Sequence, residues 1–491
     1  MKPHFDNTYT SLPPRFYSRV EPEPVSSPGV VRVNESLARR LGFDPEWLAG
    51  EEGAEFAVGN RIIEGSEPIA MVYGGHQFAS WAGRLGDGRA HLLGEVVDSD
   101  GERFDIQLKG SGRTPYSRRG DGRAPLGPVL REYLISEAMA ALGIPTTRAL
   151  VAATTGDKVR RNRPLPGGVL VRVAKSHIRV GTFEFFDSRA DEEAIRLLAD
   201  YVIERHYPDL EGGTMVDLLR AVVRRQMRLV ARWQLVGFIH GVMNTDNMLL
   251  SGETIDYGPC AFMNEYDPQT VYSSIDRHGR YAYGNQPAIA AWNLRQLSKA
   301  LVRVDERGQD IASSEAEEVF EAIPEMFRDA YGRRIGRKLG LAAFAEEDWP
   351  LVEDLLALMY ETSSDYTLTF VRLTARAHPE GDTELSALVD EFGPLPDAFD
   401  GWLERWRTRI NKDELSAAER YEMMRAENPV FIPRNHRVNA AIASAVEEGD
   451  FAPFHRLADR LVDPYDYRAE DLADARPPAP EERVRATFCG T

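Results

Sequence analysis

The side chains best suited to chemistry fall into four groups along this 491-residue chain. Asn247 and Asp256 offer oxygen donors of the kind a hard cation such as Mg2+ takes. Asp246, beside Asn247, is a carboxylate that can accept a proton. Gly86 and Gly88, in Gly-Asp-Gly-Arg89, would let backbone amides approach phosphate oxygens, and Arg89 adds charge. Lys109, Arg172 and Arg179 add three more cations, with Asp121 and Gly122 placed to contact ribose or phosphate. Arginine suits this task because its planar fork grips phosphate through two hydrogen bonds. Taken singly each has a plainer reading. Gly-Asp-Gly is also a tight hairpin turn, Lys109 a solvated strand end, and the arginines surface ion-pair partners. Together they describe metal-assisted transfer chemistry on a nucleotide.

Their order narrows the reading. A protein-kinase site runs from glycine loop to strand lysine, helix glutamate, catalytic loop with its metal-binding Asn, and Asp-x-Gly. Here the same order appears as Gly86–Arg89, Lys109, Glu132, His240-Gly-Val-Met-Asn-Thr-Asp-Asn247 and Asp256-Tyr-Gly258. Asn247 stands seven residues after His240, the kinase spacing. Glu137 competes with Glu132 as the lysine's partner, and spacing does not choose between them. The kinase base position, two after the His, holds Val242, which can neither accept a proton nor orient a hydroxyl. Two readings follow: a binder without catalysis, or an enzyme using Asp246 on a differently placed phosphate.

The elements that must hold these residues are legible in part. Phe104, Ile106 and Leu108 alternate with Asp105, Gln107 and Lys109, which predicts a half-buried strand. Residues 128–142 predict a helix closed by Gly143, and Val169, Val171 and Val173 a second strand. Residues 215–238 predict a long helix with an apolar stripe of Leu219, Val223, Met227 and Val230, running into the His240 loop. The expected class is α+β, a protein-kinase-like bilobal fold with a sheet-rich N-lobe, a helical C-lobe and a further helical C-terminal region. The expected divisions are an arm with a small helix (1–68), an N-lobe (69–210), the core of the C-lobe (211–300) and a helical region (301–491) ending in a loose tail near 470–482.

Composition excludes several classes. Asp plus Glu total 77 against 59 Lys plus Arg, a net charge of -18, which argues against general nucleic-acid binding. No apolar run reaches membrane-span length, the N-terminus carries no secretory h-region, and two cysteines, Cys260 and Cys489, make no disulfide scaffold. A cytoplasmic monomer is the expectation.

At these motifs the chain resembles the selenoprotein O family, called YdiU in bacteria. The resemblance is carried by Tyr73-Gly-Gly-His-Gln-Phe78, Gln107-Leu-Lys-Gly-Ser-Gly-Arg-Thr-Pro-Tyr-Ser117, Gly120-Asp-Gly-Arg123, the His240 and Asp256 runs, Gly279-Arg-Tyr-Ala-Tyr-Gly-Asn-Gln-Pro287 and Trp292-Asn-Leu294. It implies a kinase-like fold that binds ATP reversed, so that the alpha-phosphate faces the acceptor. The implied reaction moves AMP to Ser, Thr or Tyr of protein substrates and releases pyrophosphate, with UTP left open as a second donor. The implied nucleotide ligands are Gly86, Gly88, Arg89, Lys109, Asp121, Gly122, Arg172, Arg179 and Asp256. Asn247 and Asp256 would hold Mg2+ or Mn2+, Asp246 would accept the proton, and Glu132 would pair with Lys109. A gamma-phosphate kinase and a non-catalytic nucleotide-binding scaffold are the alternatives. Selenoprotein members carry selenocysteine near the C-terminus, where Cys489 stands here; pairing with Cys260 would tie the tail to the segment after Asp256.

Overall fold

The computed structural model describes residues 3–377, 393–467 and 472–488. In chain order its N-terminal strands are β1 (Tyr17–Arg19), β2 (Gly29–Val33), β3 (Ile69–Met71), β4 (His76–Gln77), β5 (Ser80–Trp81), β6 (Ala90–Val97), β7 (Arg103–Lys109), β8 (Ala124–Pro125), β9 (Arg148–Arg160) and β10 (Pro164–Ala174). Eight of them form one antiparallel sheet ordered β1-β3-β6-β7-β10-β9-β2, with β8 paired to β10; β4 and β5 form a separate hairpin. The segment expected as an arm therefore supplies both edge strands of the sheet. It also supplies three short helices, Glu35–Arg40, Pro45–Ala49 and Glu51–Val58. Asn34 caps the first of these through the amide of Leu37.

The strand carrying Lys109 is the middle of this sheet. Phe104, Ile106 and Leu108 pack with Val169, Val171 and Val173 of β10 against Leu37, Leu48 and Phe56 of the short helices. The opposite face departs from expectation. Asp105 and Gln107 are buried rather than solvated, because the strand is covered on both sides. Each is satisfied there: Asp105 by His177 and Arg205, Gln107 by Arg172 and Asp87. Helix Leu126–Ala141 packs on this face, and Gly143 (φ +71°) ends it.

Helix Met215–Leu235 is opened by a reciprocal cap between Thr214 and Asp217, and Leu219, Val223, Met227 and Val230 are buried along it. Helices Gln286–Arg303 and Ile323–Lys338 pack against it. It stops three residues short of its expected end at Phe238, because Gly237 (φ +69°) turns the chain into β11 (Phe238–Ile239). β11 pairs with β12 (Ala261–Phe262), so one short ladder clips the His240 loop to the Asp256 loop. The described part of the tail is not loose: Ala475 is buried and its carbonyl accepts from Arg434 Nε at 2.9 Å. Among the described residues no helix is long and apolar enough to cross a membrane.

Candidate active site

Asp256 is the hub of the site. Lys109 Nζ and Arg172 Nη1 reach its Oδ1 at 2.6 and 2.7 Å, and Arg179 Nη1 reaches its Oδ2 at 2.9 Å. Burial pushes this carboxyl upward, but the three cations outweigh it and hold it well below the usual carboxylate range. The backbone of Asp256 sits at φ +62°, a costly conformation for a non-glycine residue, fixed by these contacts. Lys109 and Arg172 come from neighbouring positions on the paired strands β7 and β10, and Arg179 from the turn before helix Val180–Asp187. Arg172 and Arg179 are each 2% exposed, not surface ion-pair partners. The structure chooses between the two glutamates: Glu132 Oε2 meets Lys109 at 2.6 Å, whereas Glu137 is held by Arg148 at 2.6 Å. Glu132 also meets Arg172 at 3.1 Å, and Asp87 stands 4.0 Å from Arg179, so three cations are set against three carboxylates.

Asp246 lies alongside. Its backbone carbonyl accepts from Arg179 Nη1 at 2.5 Å, and its Oδ2 from Gln77 Nε2 at 3.1 Å. Its Oδ1 is buried without a partner among the described residues. Burial pushes the carboxyl up to about 6, against the pull of Arg179. Such a group is ionised at neutral pH yet basic enough to take a proton. His240 is buried and braces the loop through Ile255 O at 2.9 Å, and burial lowers its pKa so that it stays neutral. Asn247 donates Nδ2 to the carbonyl of Val242 at 2.9 Å, which leaves its Oδ1 as an acceptor. Asn247 and Asp256 offer oxygen donors of the type a hard divalent cation takes, and both Asp256 oxygens are engaged by Lys109, Arg172 and Arg179.

The glycine loop opens directly onto β6, whose Ala90 pairs with Lys109. Space explains both glycines: a Cβ on Gly86 would lie 2.5 Å from the Tyr116 ring, and one on Gly88 2.7 Å from the Tyr116 carbonyl. The Arg89 side chain has no hydrogen bond or ion pair among the described residues, so it is unengaged beside the cluster's strand. Asp121 is not drawn into the cluster. It pairs with Arg161 at 2.8 Å and, with Gly110 and Arg123, lines a separate pocket of about 460 Å³. Gly122 packs its Cα against the backbone of Gly112 and Arg113, where a Cβ would approach within 2.0 Å.

Several residues of the site escaped the sequence reading. Asp87, between the two glycines, is buried and accepts from Met71 N at 3.1 Å and Gln107 Nε2 at 3.3 Å, anchoring the glycine loop to the sheet. Burial pushes it up to about 6. Tyr73 lies under the Arg179 guanidinium, 4.5 Å from ring centre to Cζ. Gln77 and Tyr73 belong to a motif that the sequence reading quoted without assigning roles within it. Cys260 is buried, and Thr487 holds the chain end nearby by donating to Pro259 O at 2.5 Å; Cys489 lies outside the described residues.

Comparison with known proteins gives a consistent answer. The family profile described as Protein adenylyltransferase SelO matches residues 1–462. The chain is 55% identical over 489 residues to Protein nucleotidyltransferase YdiU of Rhodopseudomonas palustris (strain BisB18), covering 99% of both chains. It is 54% identical over 490 residues to the protein of the same name from Rhizobium meliloti (strain 1021), again over 99% of both. The chain belongs to the SelO family of protein adenylyltransferases.

Proposed function

We propose that this protein transfers AMP from ATP to hydroxyl groups of Ser, Thr or Tyr in other proteins. The acceptor oxygen bonds to the alpha-phosphorus, the bond from that phosphorus to the bridging oxygen breaks, pyrophosphate leaves, and the hydroxyl proton passes to Asp246. The observation that carries this reading is the pairing of an apolar Val242 at the kinase base position with a buried Asp246 whose Oδ1 has no partner.

The supporting electrostatics are several cations gathered in one place. Lys109, Arg172 and Arg179 converge on Asp256, and Arg89 stands unengaged nearby. A triphosphate entering the site takes over contacts that the carboxylates now hold, and these cations stabilise the charge that develops on the leaving pyrophosphate. Asn247 and Asp256 would hold Mg2+ or Mn2+, which when bound neutralises phosphate oxygens. We assign Asp121 and Gly122, which stand outside this cluster, to the rest of the nucleotide. We read the sheet-rich part (69–210) and the helical part (211–300) as the two lobes of a kinase-like frame, with 301–491 a helical addition. The tail anchored at Thr487 supports a Cys260–Cys489 crosslink under oxidising conditions, which peptide mapping without reduction would detect.

The test of the reaction is isotopic. The protein is incubated with Mg2+ or Mn2+, a nucleotide-depleted cell lysate and ATP labelled on either the alpha- or the gamma-phosphate. Alpha label on protein is the expected result. Gamma label would establish kinase chemistry, and ATP binding without either label would establish a scaffold.

A further inference from the structure

The catalytic loop is gripped from outside by a hairpin that its sequence neighbourhood does not explain. β4 and β5 are joined by Phe78 and Ala79 at φ +50° and +63°, left-handed positions that a two-residue hairpin loop normally gives to Asn and Gly. Neither residue is chosen for the turn, so something else holds it. His76 N donates to Thr245 Oγ1 at 2.7 Å, and Phe78 N to Asn244 Oδ1 at 3.1 Å. Tyr281 donates to the same Asn244 oxygen at 2.6 Å and its ring lies 5.0 Å from that of Phe78. The His76 ring is fixed in turn by a contact with buried Glu184 and by the edge of Trp292 at 5.5 Å. At the hairpin's base a Cβ on Gly75 would lie 3.2 Å from both Cβ and Oδ1 of Asp246. The residue in the middle of these anchors is Gln77, whose amide meets Asp246 Oδ2 at 3.1 Å.

We propose that Gln77 is a positioning residue for the transfer reaction, carried by the β4–β5 hairpin as a clamp on the catalytic loop. The inference rests on Asp246 being the proton acceptor. A buried aspartate whose carboxylate has no partner can turn about its side-chain bonds. Donation from Gln77 to Oδ2 fixes that rotation and leaves Oδ1 as the oxygen that meets an acceptor hydroxyl. Arg179 fixes the same residue from behind through its backbone carbonyl, so side chain and main chain are held independently. Gln77 needs no contact with nucleotide to do this. Its loss should therefore appear in turnover and not in nucleotide affinity.

The experiment measures kcat and KM for alpha-labelled ATP, with nucleotide-depleted lysate as acceptor, for the native protein, Gln77→Met, Gln77→Glu and Asp246→Asn. Melting temperatures are recorded alongside. Gln77→Met keeps the length of the side chain and removes the donor. Its kcat should fall about ten- to a hundredfold, the effect of losing a hydrogen bond to a charged group, with KM within about twofold of native. Gln77→Glu, which sets a second carboxylate against Asp246, should fall further. A Gln77→Met kcat within about twofold of native, or a loss seen only in KM or together with lowered melting temperature and ATP binding, would overturn the proposal. Native turnover in Asp246→Asn would instead overturn the reading of Asp246 itself, whatever Gln77→Met does.

Discussion

One face of β7 supports two buried charged clusters that behave as opposites. At one end Asp105 meets Arg205 at 2.5 Å and His177 at 2.9 Å, and Glu95 meets the same arginine at 2.9 Å. Glu95 also accepts from Thr8 Oγ1 at 2.6 Å and Tyr9 N at 2.7 Å. Arg103 adds a longer contact to Glu95 at 3.5 Å, so two carboxylates face two arginines, and backbone and hydroxyl donors supply the rest. Four residues further along the same face of β7, at Lys109, three cations gather. They face Asp256, Glu132 and, at 4.0 Å, Asp87, and side-chain exposures of 13% for Lys109 and 24% for Asp256 leave that end open. Both clusters are costly to bury. In the first cluster every carboxylate has a cation or a donor, and His177 Nε2 is left without a partner; in the second, the neighbouring Asp246 Oδ1 is left without one where a ligand would enter.

The comparison is broken most severely by Arg205→Leu. It leaves Asp105 and Glu95 buried without their shared cation and should cost about 3–5 kcal/mol of stability. Denaturant unfolding measures this, and turnover of the molecules that remain folded should match native. Asp256→Asn acts in the open cluster and should do the reverse. Transfer should fall about 10²–10³-fold, as for other preorganised charge-stabilising groups. With metal chelated by EDTA, ATP should raise the variant's melting temperature more than the native one, because three cations have lost a competing carboxylate. Equal ATP stabilisation of the two proteins would contradict the idea that Asp256 holds those cations in reserve.

The smallest effect concerns pH. Burial pushes His177 in the first cluster down to about 4, from about 6.5 in an unfolded chain. The folded protein therefore resists protonating it. The stability is whole above about pH 6.5 and declines as pH falls toward about 4, with a loss approaching about 1 kcal/mol between pH 6.5 and 5.5. Unfolding curves at those two pH values check this, and His177→Gln should flatten that part of the profile.

The legibility of the sequence divides along the same line. Lys109 and Asp256, which the fold brings into contact, stood out because their order repeats a catalytic pattern, and β7 because its residues alternate. Gly143 closes its helix as expected because a left-handed end position selects glycine. What was not readable depends on burial. Alternation alone cannot tell a solvated polar face from a covered one, so Asp105 and Gln107 were expected in water. Glu132 and Glu137 differ only in which cation the folded sheet brings near them. Asp87 and Gln77 act through partners distant in the chain, at Gln107 and Asp246, and no local period reports such pairs. The edge strands β1 and β2 are too short to announce themselves by alternation.

The central claim is that Asp246 does the work for which Val242 is unfit. Single-turnover transfer from alpha-labelled ATP by Asp246→Asn, with ATP binding measured on the same protein, tests it directly. The account predicts a transfer rate lower by about 10²–10⁴-fold with nucleotide affinity retained. Transfer at the native rate would contradict it and remove Asp246 from the reaction.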